Sequence, residues 1–254
     1  MNRFSICVIT LNEAHDLPRL LKSVEGLAEE IVVVDSGSTD ATVEIAHAAS
    51  ARVLTRAWTN YAEQKNYAAA QASEDWILLL DADEELSGEL RESILQWKAA
   101  PPRFSVYEMP RLAWFLGAWI HHSRWYPDWQ RRLYDRRKAQ FSGAIHESLR
   151  YEGTVGRLDG DLLHYTVRNL EEQRKKSEEY STLAARAMFE SGRRDWFAAK
   201  WIAAPWAWVR YFVLGAGFLD GYRGLVIARS AAHTVWLKYT KLGELVAQVE
   251  WEKK

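Results

Sequence analysis

The apolar positions of the first hundred residues fall into short runs separated by segments with helical spacing. Phe4–Thr10, Ile31–Val34, Arg52–Thr55 and Ile77–Leu80 read as strands, and the continuous apolar runs among them suit a parallel sheet buried on both faces. Between them lie three helical segments. Leu17–Val24 places Leu17, Leu20, Leu21 and Val24 on one face; Ala41–Ala49 follows Asp40 or Thr39 as its cap; Ala62–Ala72 is the third. Strands and helices alternating at this spacing predict right-handed β-α-β crossovers, with helices on both faces of the sheet. The strand ends then bring Thr10–Asn12, Asp35 and Asp81 to one rim, the edge at which open α/β sheets bind ligands.

Pro101-Pro102 ends the helix Gly88–Ala99, and the pattern changes after it. Phe104–Leu112 and Arg131–Asp135 are strand-like, and Gly143–Glu147 and Leu158–Tyr165 complete a small mixed sheet. Trp114–Trp129 is aromatic and reads as a binding loop rather than a core element. Asn169 is placed to cap a long polar helix with Glu171 and Glu172 in its first turn, running to about Glu190 and stopped by Gly192. From Trp196 to Lys241 the chain is apolar, aromatic and basic. Residues 1–100 and 101–168 thus form two halves of one α/β domain, and 169–254 a helical extension.

Composition narrows the function. A net charge of −1 gives no basic field for nucleic acid, and the single cysteine, Cys7 in an apolar run, excludes a disulfide framework or a cysteine metal site. The N-terminal segment lacks the layout of a signal peptide, so a cytoplasmic location is expected. Chemistry concentrates at Trp76–Glu85, where the buried run stops at Asp81-Ala82-Asp83. Two carboxylates one residue apart point to the same side of an extended chain. Hard oxygen donors of this kind suit Mg²⁺ or Mn²⁺ carrying a diphosphate. An acidic turn leading into a helix is the plain alternative.

The ordered segments ICVITLNE, IVVVDSGSTDAT, EQKNYA and ILLLDADEE, within residues 4–90, resemble the family 2 glycosyltransferases of the GT-A fold. The spacing of PDWQRRLYDRR, GAIHE, LLHYT and GFLDGYRG is similar to bacterial lipopolysaccharide-core glucosyltransferases that act on an inner-core heptose. The resemblance implies a mostly parallel, Rossmann-like GT-A sheet and a UDP-sugar donor, with glucose as the expected sugar. It further implies that Asp35 accepts a hydrogen bond from the uracil ring, with Thr10 and Asn12 lining the same pocket. Lys65 stands where many members carry Arg, Asp81 reaches the ribose, and Asp83 binds the divalent metal with His164 as a further ligand. Arg131 and Arg132, in the basic run through Lys138, can reach the donor diphosphate.

An inverting transfer needs a base beside the acceptor hydroxyl. Glu147 is the first choice, His146 its orienting neighbour and Asp128 the second choice. The expected acceptor is a lipid-linked saccharide. Ten of the thirteen tryptophans follow residue 100, and basic residues flank 201–219. That stretch, at the margin of the roughly 20 apolar residues of a span, fits a helix lying in the interface of the inner membrane. An oligomer contact and a span are the alternatives. Transfer to polyprenyl phosphate, or a nucleotide-binding membrane scaffold without activity, are the rival functions.

Overall fold

The computed structural model describes residues 1–143, 147–167 and 170–252. Its first hundred residues run β1 (Phe4–Thr10), α1 (Leu17–Ser23), β2 (Glu30–Asp35), α2 (Thr42–Ala48), β3 (Arg52–Thr55), α3 (Tyr61–Gln71), β4 (Trp76–Asp81), β5 (Glu84–Leu86) and α4 (Gly88–Ala99). Then come β6 (Val106–Phe115), β7 (Ala118–Ile120), β8 (Asp128–Asp135), β9 (Ala139–Ser142), β10 (Ser148–Tyr151), β11 (Gly156–Arg157) and β12 (Leu162–Val167). Helices α5 (Leu170–Glu190), α6 (Phe197–Phe212) and α7 (Tyr222–Glu252) follow, with a 3-10 turn at Gly217–Asp220. The chain divides into two compact units, Met1–Leu112 with Asp128–His164, and Ala113–Pro127 with Tyr165–Lys254.

In the first unit β1 is the centre of a parallel sheet, pairing with β2 on one side and β4 on the other, with β3 beyond β2. The register sets Thr10 beside Asp35 and Ile9 beside Asp81, so the polar strand ends do share one rim. Beyond β4 the order is β8, β6, β12, β5; β8 is antiparallel to both β4 and β6, and β12 to β5. Side chains alternate across the sheet. Phe4, Ile6 and Val8 join the core with Leu17, Leu20, Leu90 and Ile94 of α1 and α4. Cys7 and Ile9 join Ala62 and Ala68 of α3, with Phe141 and Leu149. Helices therefore cover both faces, as the two-sided apolar runs require. Burial pushes the Cys7 thiol up, which leaves it inert.

Local chemistry fixes the helix starts. Asn60 caps α3 by accepting from Glu63 N (2.9 Å) while its amide reaches back to the Glu63 carboxylate (3.0 Å). Ser87 accepts from Leu90 N at the start of α4 (3.1 Å). Helix α2 begins one residue later than its sequence suggests: Ala41 is the cap, and Asp40 accepts instead from Thr42 N (3.0 Å) and Ala14 N (3.1 Å). Gly160 has φ +88° and lies so near α4 that a Cβ there would sit 2.2 Å from Leu90 N. Only glycine fits.

In the second unit the aromatic stretch after β6 is partly core. The strand continues to Phe115, and Leu116-Gly117, both with positive φ (47° and 81°), turn it tightly into β7. Phe115 and Ile120 are fully buried with Val167 and Ile227, and Trp125 packs on Phe115. Gly192, at φ +85°, ends α5 as its position predicts; the Asn169 cap lies outside the described residues. Helices α5 and α7 pack through Ala185, Tyr239 and Leu242. Among the described residues no helix is long and apolar enough to cross a membrane.

Candidate active site

All of the site's described side chains belong to the first unit. At the end of β2, Asp35 is 2% exposed, and its carboxylate accepts from Thr10 Oγ1 (3.0 Å), Ser38 Oγ (2.5 Å), Gly37 N (2.9 Å) and Ser38 N (2.8 Å). Burial alone would push this carboxyl up; the bonds from Ser38, Gly37 and Thr10 outweigh it and leave the group below its ordinary value. Four accepted bonds match the acceptor capacity of a carboxylate. A nucleobase N–H would therefore have to displace one. Asn12, at φ +57°, clamps the neighbouring loop: its N–H donates to Ser38 Oγ (2.8 Å) and its Oδ1 accepts from Thr39 N (2.8 Å). Thr10, Asn12 and Asp35 are thus brought together as one braced rim.

Lys65 reaches this rim from α3. Its ammonium is buried, 3.0 Å from Glu147 Oε1 and 3.3 Å from Asp81 Oδ1, with the Tyr61 and Phe141 rings 5.7 and 5.5 Å away. Asn66 beside it binds both the N–H and the carbonyl of Phe141 (2.9 and 2.8 Å), tying β9 to α3. Asp81 Oδ2 lies 2.5 Å from the guanidinium of Arg132. Arg132 also meets Glu84 Oε1 (2.5 Å), and Glu84 Oε2 accepts from Asp81 N (2.9 Å). Arg111 follows, 3.5 Å from Glu84 and 2.6 Å from Asp128, whose other oxygen accepts from Gln130 (2.9 Å).

Glu147, Lys65, Asp81, Arg132, Glu84, Arg111 and Asp128 therefore form one chain of alternating charge. Burial pushes the Asp81 carboxyl up, but Arg132 and then Lys65 hold it well below the usual carboxylate range. Burial opposes the charge of Arg132, and Asp81 and Glu84 more than restore it. The two carboxylates of the D-x-D pair are separated by this arrangement. Asp81 belongs to the charge chain, whereas Asp83 Oδ2 lies 3.1 Å from His164 Nε2. The β12–β5 pairing, which sets His164 opposite Glu84, brings the imidazole to the turn.

Among the described residues no three His, Cys, Asp or Glu groups converge on a metal position. Asp83 and His164 are the convergent pair, both part-exposed. A hard cation that keeps one or two protein ligands and fills its shell with phosphate and water fits that donor set.

The rest of the basic run engages other groups. Arg131 faces the other way from Arg132, pairing with Glu108 at 3.8 Å and stacking over Tyr151. Arg136 donates to the Ala69 and Ala72 carbonyls, and Arg137 pairs with Asp135 and Asp75. His146 lies outside the described residues. Glu84 and Arg111 are the members of the site that sequence reasoning missed. Glu84 carried a signal, a third acid directly after the strand end; Arg111 carried none.

The acidic turn and its apposed His lie on a mixed sheet, parallel from β3 to β4 and with antiparallel pairs beyond it, and comparison with known proteins assigns the family. Residues 5–151 match the model of Glycosyl transferase family 2. The chain is 31% identical over 261 residues to an uncharacterized glycosyltransferase of Rickettsia typhi, covering 96% of this chain and 88% of that one. It is 32% identical over 250 residues to the lipopolysaccharide core biosynthesis glycosyltransferase LpsC of Rhizobium meliloti, covering 92% of each. Its fold is similar to that of S. aureus TarS 1–349 in complex with UDP-GlcNAc, with a TM-score of 0.50 at 15% identity, covering 97% of this chain and 92% of that one. The chain belongs to glycosyl transferase family 2 and has the GT-A fold.

Proposed function

We propose that this chain is a metal-dependent, inverting glycosyltransferase that takes UDP-glucose and extends a heptose of the lipopolysaccharide inner core. The observation that carries the reading is the Asp83–His164 pair at the strand-end turn, next to a charge chain that ends on Glu147. The LpsC relative supports a core saccharide as acceptor, and the TarS structure, solved with UDP-GlcNAc, supports a UDP-linked donor.

In this reading the braced loop of Thr10, Asn12 and Asp35 receives the uracil, and Asp81 the ribose. Asp83 and His164 hold Mg²⁺ or Mn²⁺, which when bound supplies positive charge to the departing diphosphate. Lys65 holds Glu147 through Oε1, so the second oxygen, Oε2, serves as base. The acceptor oxygen attacks the anomeric carbon on the face opposite UDP. The bond to the diphosphate breaks with its electron pair leaving on UDP, and the hydroxyl proton passes to Glu147. Asp128 is less suited, because Arg111 and Gln130 engage both its oxygens.

The second unit supports work at a membrane surface. Phe197, Trp201, Ile202 and Trp206 on α6 are 56–72% exposed, with Lys200 and Arg210 on the same helix. Aromatic groups at the headgroup level with basic neighbours suit an enzyme docked on the cytoplasmic face of the inner membrane.

The test is a panel of UDP-sugars with Mn²⁺ or Mg²⁺, scoring UDP release with and without core glycolipid. UDP-glucose should be consumed fastest, and only with acceptor and metal present. Turnover that ignores a chelator, or that prefers polyprenyl phosphate as acceptor, would overturn the reading.

A further inference from the structure

The second unit holds a polar cluster that the donor site does not use. After β7 the chain turns through His121–Arg124, and Ser123 and Arg124 both adopt left-handed backbone (φ 58° and 59°). Consecutive side-chain-bearing residues in this region are uncommon, and they persist only where their surroundings enforce them. Here the enforcement is explicit. Ser123 N donates to Gly215 O (2.8 Å), Ser123 Oγ donates to Asp220 Oδ2 (2.7 Å), and His122 Nδ1 lies 3.0 Å from Asp220 Oδ1. The Ser123 side chain is fully buried and that of Asp220 is 5% exposed.

The supporting segment is built around close approaches. A Cβ on Gly217 would lie 2.9 Å from Ser123 Oγ, one on Gly215 would lie 2.8 Å from Arg124 Cγ, and one on Gly224 would lie 1.7 Å from Gly217 O. Arg223 Nε donates to Leu116 O (2.9 Å), which pins the β6–β7 turn to the start of α7. This accounts for the Gly-x-x-Asp-Gly-x-x-Gly spacing of residues 217–224, which the donor site leaves unexplained.

What the support presents is basic. His121 and Arg124 are exposed, the His122 side chain is 37% exposed, and neither Arg124 nor Arg223 has an acidic partner among the described residues. Asp220 holds His122 by Nδ1, leaving Nε2 as the ring's other hydrogen-bonding atom. The same short stretch exposes Leu214 (63%), Phe218 (54%), Leu219 (61%) and Tyr222 (68%). Cations set among exposed apolar side chains match a phosphate at the surface of a bilayer: the charge meets the headgroup and the apolar groups enter beside it.

We propose that the His121–Arg124 loop, with Arg223, is a binding site for the phosphoryl headgroup of an anionic lipid, flanked by Phe218, Leu219 and Tyr222 as the inserting groups. The proposal rests on the membrane-surface reading above and adds where, and through which chemistry, the headgroup is held.

The test uses the full chain and sedimentation with phosphatidylcholine vesicles doped with phosphatidic acid or, at equal surface charge, with oleic acid. The wild type should prefer the phosphatidic acid vesicles. Each basic residue near an anionic surface is worth about a fivefold change in partition, so Arg124→Gln should lose about that factor and Arg124→Gln with His122→Gln the preference itself. Arg124 is exposed, so the single variant should keep the wild-type melting curve and circular dichroism. Trp201→Ser with Trp206→Ser should weaken binding to both vesicle types alike. Equal binding to both by the wild type, or an unchanged preference in the double loop variant, overturns the headgroup site and leaves membrane docking standing. If the wild type binds neither vesicle, docking fails as well. Inorganic phosphate that displaces the protein at low millimolar concentration would assign the loop to a free phosphate and overturn the lipid.

Discussion

Replacing Arg132 by Met tests the charge chain at its most buried link. The Arg132 side chain is 4% exposed and Glu84 is fully buried, and they meet at 2.5 Å; Asp81, on the other side, is 28% exposed. Methionine fills similar volume but leaves the Glu84 carboxylate without its closest cation. Breaking one partner of a buried pair costs about 3–5 kcal/mol, because the remaining charge stays desolvated. The Asp81 side adds less, since water reaches it and Lys65 stays 3.3 Å away. Urea unfolding at pH 7 should therefore show a loss of about 4 kcal/mol. The pH dependence follows from the depressed Asp81 carboxyl. Its stabilisation is present above the unfolded value of about 4 and is lost as pH falls through the lower folded value. Without Arg132 that carboxyl gains a proton more readily, so the gap between wild type and variant should narrow below about pH 4. A loss at pH 7 under about 1 kcal/mol, the worth of an exposed pair, would refute the claim that Arg132 organises the turn. A gap that widens in acid would refute it equally.

Asp83→Ala should weaken Mn²⁺ binding measured with UDP present by at least about 10–100-fold, the cost of disturbing even an outer-shell partner; unchanged binding with full activity removes Asp83 from the metal site. Glu147→Gln should lower turnover about 10²–10⁴-fold with donor affinity retained; a change confined to donor affinity would make it a binding residue. Gly160→Ala should destabilise by about 1–3 kcal/mol in thermal unfolding, from backbone strain at φ +88° together with the clash on α4, and a neutral result would show that the loop moves aside.

The parts of the fold that were legible are those decided by neighbours in sequence. Strands β1, β2 and β4 declare themselves through continuous apolar runs. The rim followed because the same polar punctuation closes each of them at Thr10, Asp35 and Asp81. Helix α4 was legible to the residue, since Ser87 caps one end and Pro101-Pro102 bars the other. Asp35 shows where reading stopped short. The Asp-Ser-Gly-Ser order already offers backbone N–H groups two and three residues on, an Asx-type turn, and the structure fills the carboxylate with them. The aromatic stretch 114–129 reads as a binding loop in the sequence because its aromatics obscure the period. Two positive-φ residues, Leu116 and Gly117, convert its start into a hairpin.

The partners of Arg132 were beyond local reading, because they depend on register. Arg132 meets Asp81 across 51 residues because β8 lies beside β4, and the pleat of β8 itself turns neighbouring side chains to opposite faces. That alternation sends Arg131 to Glu108 and Tyr151 and Arg132 into the charge chain. The consequence reaches the choice of base. Glu147 and Asp128 stand at the two ends of one chain, in which four carboxylates face three cations. Arg111 grips Asp128 through two nitrogens on one oxygen, at 2.9 and 2.6 Å, while Gln130 takes the other. Among the described residues, Glu147 is held through one oxygen, by the flexible ammonium of Lys65. A base must keep a lone pair free for the incoming hydroxyl, and the chain leaves that freedom at the Glu147 end.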